Sequence, residues 1–240
     1  NRAEFETFLY HDNPRSDEIT DCIREKAEHF FSVSDLPDAS LISLIRSHRL
    51  DVLVELAGHS SNNRLNLLYN RLATVQLTGL GYPPTTGLSS IDAKLLDPFI
   101  ADSAATRYYT ERPLLLPNSF WCFDPMEEAP VGESLPVERN GFVTFACIGN
   151  IAKISDRIIS CWKKILQEVP RSKLLVRSIS FNDPEAMESF KRRIEEFSIL
   201  AESVVLLPPA GGKDFFASYN EVDIILDTFP FNGGTTTCFA

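Results

Sequence analysis

The segment Asp227-Thr228-Phe229-Pro230-Phe231-Asn232-Gly233-Gly234-Thr235-Thr236-Thr237 places two glycines and a run of hydroxyls directly after an apolar, strand-like stretch. Glycines let the backbone approach a ligand closely, hydroxyls donate hydrogen bonds, and N–H groups at a helix start carry partial positive charge. That is phosphate-binding chemistry, although the same residues also make an ordinary threonine-capped turn from strand to helix. A second segment, Gly149-Asn150-Ile151-Ala152-Lys153-Ile154-Ser155, follows the apolar run Phe142–Cys147 and leads into a helix with Ser155 at its N-cap. Lys153 is thereby placed near the carboxyl end of a strand, the edge at which open α/β sheets bind ligands. The plain alternative is a solvated surface ammonium. Together the two loops offer a cation and several donors for a pyrophosphate.

A third segment, Leu56-Ala57-Gly58-His59-Ser60-Ser61-Asn62-Asn63-Arg64, puts His59 at a strand end among small polar residues. An imidazole there acts as a general base or a hydrogen-bond donor, or caps a helix starting near Ser61. His29 and His48 fall in amphipathic helical patterns, and His11 in a polar loop. Gly79-Leu80-Gly81-Tyr82-Pro83-Pro84-Thr85-Thr86-Gly87 reads as a rigid loop, because proline fixes φ and glycine permits unusual turns.

The elements that must position these loops alternate between short β-branched or apolar runs and longer stretches of helical period, the pattern of parallel sheets covered by helices. The fold class is α/β. Strands are expected at Glu4–Tyr10, Asp51–Leu56, Val75–Thr78, Phe142–Cys147, Lys173–Ile179, Ser203–Leu207 and Val222–Asp227. Helices are expected at Thr20–Phe31, Asp38–Arg49, Ser61–Leu72, Ser155–Val169, Pro184–Phe197 and Asp214–Asn220, with irregular chain after Thr78. The Pro-, Gly- and Glu-rich stretch Glu127–Pro136 resists both structures and marks a linker. The division is therefore 1–130 for a first lobe, 131–140 for the linker and 141–240 for a second lobe.

The 240 residues carry 23 basic and 33 acidic side chains, a net charge of −10, which opposes nucleic acid or an anionic membrane as partner. No apolar run approaches the roughly 18 residues that a membrane-spanning helix needs. Five cysteines without CxxC spacing point away from a disulfide framework and a zinc site, and toward a reduced, intracellular, cytoplasmic setting. The signatures GxSxG, HExxH, GxxxxGK[ST] and helix-opening GxGxxG are absent, as is an Asp-x-Asp pair for a divalent ion. Asp223 and Asp227 stand four apart on one expected strand, about 13 Å at ~3.3 Å per residue, too far to share one ion. No metal site is expected. The chain begins without Met and ends on Thr237-Cys238-Phe239-Ala240 just after a turn, so it is expected to be part of a longer protein and inactive by itself.

In colinear order, DVLVELAGHSSNNR (51–64), VQLTGLGYPPTTG (75–87), LPNSFWCFDP (116–125), FVTFACIGNIAKIS (142–155) and VDIILDTFPFNGGTTTC (222–238) resemble the catalytic region of the O-GlcNAc transferase and SPINDLY family of glycosyltransferases. The resemblance covers nearly the whole chain. It implies a GT-B architecture of two Rossmann-like lobes, incomplete at both ends, the first on the acceptor side and the second holding the nucleotide sugar. It implies metal-independent, inverting transfer of N-acetylglucosamine from UDP-GlcNAc to Ser or Thr of a protein acceptor. GDP-fucose as donor is the alternative, and a non-catalytic sugar-nucleotide binder or scaffold a further one. The family's donor-diphosphate lysine carries over to Lys153 and its nearby polar residue to Asn150. The "GTTT" start carries over to Gly234, Thr235 and Thr236. The base-binding loop carries over to Ala210-Gly211-Gly212, with Phe215 where the family has a base-stacking histidine. Lys153 is expected to act on the leaving diphosphate, and His59 is the candidate general base, with the donor phosphate or a residue outside this sequence as alternatives. The sequence departs from the family at Gly79, at Gly149 and at Phe239, the last where relatives carry an acidic residue. Tetratricopeptide repeats are expected upstream in a full-length chain.

Overall fold

The structure is a computed structural model that describes residues 3–125 and 131–240. The chain divides into two compact units, Asn1–Cys122 and Phe123–Ala240. Residues 123–125 and 131–140, assigned from sequence to the first lobe and the linker, therefore group with the second unit. Residues 127–130 of the expected linker lie outside the described residues.

In the first unit, β1 (Phe8–His11), α1 (Glu18–Lys26), β2 (His29–Ser32) and α2 (Asp38–Ser47) precede β3 (Val52–Glu55), β4 (Val75–Thr78), β5 (Ala93–Leu96), α3 (Ser103–Thr106) and β6 (Arg112–Leu115). β1 and β2 form a parallel pair, and β3-β4-β5-β6 form a four-stranded parallel sheet in that order. Asp17 starts α1 by accepting from Thr20 N at 2.8 Å. In α2, Leu41 and Ile45 are one helical turn apart and pack with Val33, Leu67 and Leu72. Pro113 sits in the edge strand β6, where a missing ladder donor is tolerated.

The second unit contains α4 (Pro136–Asn140), β7 (Thr144–Ile148), α5 (Asp156–Glu168), β8 (Lys173–Arg177), α6 (Pro184–Glu196), β9 (Val204–Leu207), α7 (Gly212–Ala217), β10 (Ile224–Ile225) and α8 (Thr235–Phe239). Its parallel sheet runs β10-β7-β8-β9. Thr144, Phe145, Ala146 and Cys147 are all buried, as expected of a central parallel strand covered on both faces. Ile158, Ile159 and Trp162 of α5 and Phe190 and Ile194 of α6 fill the same core. Each such side chain contributes about 1.5–3 kcal/mol by leaving water. Because β7 is flanked by β8 on one side and β10 on the other, the chain leaves β7 in one direction and returns in the opposite one. The carboxyl ends of β7 and β10 therefore form a topological switch point.

Several expected elements differ. The helix expected over Thr20–Phe31 ends at Lys26, because His29–Ser32 pairs in register with Phe8–His11. His29 is consequently a strand residue, and His11 closes β1. The helix expected from Ser61 is a 3₁₀ segment, Leu65–Asn70, held by its buried Leu65, Leu67 and Leu68. The stretch after Thr78, expected to be irregular, supplies β5 and β6. The strand expected over Val222–Asp227 is regular only at Ile224 and Ile225, with backbone bonds to β7 on either side from Asp223 N to Thr144 O at 2.9 Å and from Leu226 N to Ala146 O at 2.7 Å.

Candidate functional site

The switch point opens into a cleft of ≈ 360 Å³, solvent included, lined by Cys147 to Asn150, Lys153, Ile225 to Thr228, Gly233, Thr236 and Thr237. Gly149 donates to Arg177 O at 3.0 Å and takes φ 157°, a conformation that residues with a Cβ rarely adopt. The chain then enters the 3₁₀ turn Ile151–Lys153, capped by Asn150 Oδ1 accepting from Ala152 N at 2.9 Å. That turn delivers Lys153 to the cleft. Its Nζ donates to Asn232 O at 2.9 Å and lies 4.3 Å from the centre of the Phe231 ring.

The opposite wall is built around Asp227, whose carboxylate accepts from Thr228 N at 2.8 Å, Gly233 N at 2.6 Å and Asn232 Nδ2 at 3.2 Å. These bonds fold residues 228–233 back on themselves, and Thr228 Oγ1 closes the turn on Phe231 O at 2.7 Å. Gly233 is required at its place, since a Cβ there would overlap Thr237 Oγ1 and lie 3.1 Å from Asp227 Oδ1. The cleft thus presents the Lys153 ammonium, the Asn150 amide and three threonines, of which Thr228 spends its hydroxyl on Phe231 O, while the Asp227 carboxylate is turned to its own loop. That donor set suits a diphosphate. Cys147 also faces the cleft, but burial, followed by the charge of Asp227, pushes its thiol up to about 12, so it stays protonated and unreactive.

Of the residues expected to bind the donor, Asn150, Lys153 and Thr236 line this cleft, while Gly234 and Thr235 sit beside it at the start of α8. Ala210 and Phe215 are not among its lining residues. Phe215 belongs instead to an aromatic cluster with Phe216, Tyr219 and Phe239, at centroid distances of 5.5, 5.4 and 5.9 Å, and Phe239 in turn meets Phe123 at 4.9 Å. Asp223 forms a clasp, accepting from Val137 N at 2.9 Å and Thr144 N at 2.8 Å, which fastens the start of α4 to the start of β7. Among the described residues no group of three or more His, Cys, Asp or Glu side chains is placed to hold a metal ion. No helix among them is long and apolar enough to cross a membrane.

In the first unit, His59 follows β3 in a loop that interlocks with residues 79–87. Gly58, at φ 55°, has no room for a Cβ against the Tyr82 side chain, and a Cβ on Gly81 would overlap the Leu56 carbonyl. Gly81 N donates to Leu56 O at 3.1 Å. The His59 ring meets Tyr82 edge-on at 5.4 Å, and its Nε2 lies 2.7 Å from Thr86 O. A carbonyl only accepts, so Nε2 carries a proton, and in the neutral form of the ring the lone pair is therefore at Nδ1. No regular helix follows for His59 to cap. Sequence reasoning missed the groups that fix this loop, Glu55, Lys94 and Glu111. The available signal was a lysine inside the apolar run Ala93-Lys94-Leu95-Leu96.

Residues 1–129 match the family described as glycosyl transferase family 41. The chain is similar to a Solanum lycopersicum protein named "Probable UDP-N-acetylglucosamine--peptide N-acetylglucosaminyltransferase SPINDLY", with 36% identity over 93% of this chain and 24% of that protein. An Arabidopsis thaliana protein of the same name is 35% identical over 91% of this chain and 24% of its own length. The Arabidopsis thaliana protein named for the same activity with the suffix SEC is 26% identical over 98% and 25%. The chain spans about a quarter of the length of these curated relatives. Among solved structures, it matches a mutant of the Thermobaculum terrenum O-GlcNAc transferase at TM-score 0.93 and 31% identity, over 100% of this chain and 45% of that one.

Proposed function

The chain belongs to glycosyl transferase family 41, and on that premise we propose that it contributes the donor site and part of the acceptor lobe of a protein O-glycosyltransferase. The proposed reaction is inverting transfer of N-acetylglucosamine from UDP-N-acetylglucosamine to a serine or threonine hydroxyl, without a metal ion. The observation that carries this reading is Lys153, set with Asn150 and Thr236 in a cleft at the switch point of a parallel sheet.

As the bond from sugar to diphosphate breaks, negative charge grows on the leaving phosphate oxygen. Lys153 exchanges its contacts with Asn232 O and the Phe231 ring for that oxygen, and the hydroxyls of Thr236 and Thr237 donate beside it. Preorganised donors of this kind stabilise a transition state because they need no reorientation when the charge appears. The acceptor hydroxyl must lose a proton, and the neutral form of His59 offers its Nδ1 lone pair for that role. Donor assignment follows from turnover. The intact protein is assayed with UDP-N-acetylglucosamine and with GDP-fucose on a Ser/Thr-rich acceptor peptide. Transfer from the first supports the proposal, transfer from GDP-fucose alone replaces the sugar and base while keeping the cleft, and binding of UDP or GDP without transfer leaves a sugar-nucleotide binder.

A further inference from the structure

The Tyr82–Thr86 loop beside His59 is held by two charges buried beneath it. Lys94 of β5 has 1% of its surface exposed and donates Nζ to Tyr82 O at 2.7 Å. Glu111, the residue before β6, is 2% exposed. It accepts from Thr85 Oγ1 at 2.6 Å, from Thr86 N at 2.7 Å and from Thr86 Oγ1. Tyr109 OH adds a bond to Pro83 O at 3.1 Å. On the other side, Glu55 at the end of β3 accepts from Ala57 N at 2.6 Å, Gly58 N at 2.9 Å and Thr78 Oγ1 at 3.0 Å, which fixes the backbone just ahead of His59.

This arrangement is expensive in stability. Removing an ion from water costs several kcal/mol after relaxation, and apolar residues of similar volume commonly replace buried charges without loss. The side chains of Lys94 and Glu111 hydrogen-bond the loop at Tyr82, Thr85 and Thr86. Thr86 is also the residue whose carbonyl accepts the hydrogen bond donated by His59 Nε2–H. One short segment thus connects the buried charges to the imidazole.

We propose that Lys94 and Glu111 are positioning residues for His59: by holding the Tyr82–Thr86 loop, they place the Thr86 carbonyl to accept the hydrogen bond from Nε2–H and leave Nδ1 as the ring's basic nitrogen. The consequence for catalysis rests on the function proposed above, whereas the positioning itself is tested without turnover.

The test follows the His59 Nε2–H signal in ¹⁵N-histidine-labelled intact protein, assigned by its loss in His59→Gln, alongside steady-state kinetics. In Glu111→Ala and Lys94→Met the Nε2–H is expected to exchange with solvent about tenfold faster, the scale of losing one hydrogen bond's net worth. kcat is expected to fall while KM for the nucleotide sugar holds. If both variants fail to fold, Glu111→Gln decides, because it keeps the shape and weakens the charge-assisted bonds; about a threefold faster exchange is then expected. Unchanged exchange in a folded variant would overturn the proposal. Faster exchange with unchanged kcat supports the positioning and removes His59 from the proton transfer, so the two readings fail separately.

Discussion

Lys153 Nζ donates to the carbonyl oxygen of Asn232 at 2.9 Å, which ties the proposed phosphate-binding loop to its cation. The partners are a neutral carbonyl and an aromatic face, and Lys153 is in none of the described ion pairs. Its charge is therefore left available to an anion. Lys153→Ala is expected to lower kcat by about 10²–10³, roughly 2.7–4 kcal/mol in the barrier, by analogy with loss of an oxyanion donor. Thermal unfolding should shift little, since the lost contacts lie at the surface. Near-normal turnover would return Lys153 to the status of a solvated surface charge.

Gly58→Ala tests the interlock of the two loops in the first unit. The substitution places a Cβ inside the Tyr82 side chain at a residue with φ 55°. Strain at such a site costs of order 1–3 kcal/mol, so the midpoint of urea unfolding should fall. A midpoint equal to that of the parent protein would show that the loops part without cost.

Asp97 gives the acid limb of the stability curve a specific origin. It follows β5, is buried, and accepts from Phe99 N, Ile100 N and Phe120 N at 2.8, 3.0 and 2.9 Å. Burial alone would raise its pKa, but the three backbone bonds outweigh that and hold it below the usual carboxylate value. The folded state then binds fewer protons than the unfolded chain in that window. Stability is complete above the unfolded pKa and is lost as pH falls through the folded one. Asp97→Asn should be less stable than the parent at neutral pH and lose less on acidification, as read by urea unfolding at about pH 7 and about pH 3. Parallel losses in parent and variant would assign the acid limb to other carboxylates.

Metal independence is tested with the intact protein in excess EDTA. Neutralisation of the diphosphate by Lys153, Thr236 and Thr237 predicts that most transfer activity survives. Its abolition, with rescue by Mn²⁺, would count against the donor-site assignment.

Asp223→Ala is expected to cost stability rather than chemistry. Its two oxygens serve Val137 N and Thr144 N, and leaving partly buried donors unpaired costs about 1–3 kcal/mol. A lower unfolding midpoint with an unchanged KM for the nucleotide sugar is the expected pair of results.

The sequence by itself determined the α/β class, the elements with unbroken periodicity and the loops rich in glycine. Val75–Thr78 is a strand at its expected bounds, and Pro184–Glu196 is a helix that starts at its expected proline because Asp183 accepts from Glu185 N and caps it. The places of Lys153, Asn150 and Thr236, just after a strand or at a helix start, were also legible. Tertiary structure decided what depends on a partner distant in the chain. β2 lies in a stretch of helical period and is a strand because it pairs with residues 8–11. β5 and β6 carry a lysine and a proline that local rules count against a strand, yet the sheet accommodates Lys94 by giving it Tyr82 O and Pro113 by placing it at an edge. Phe215 stands where the resemblance implies a base-stacking residue, and the fold packs its ring with Phe216, Tyr219 and Phe239. Local propensity acts over a few residues, while burial and pairing energies act between residues tens of positions apart. Only the folded chain brings His59, Thr86 and Glu111 into one hydrogen-bonded run.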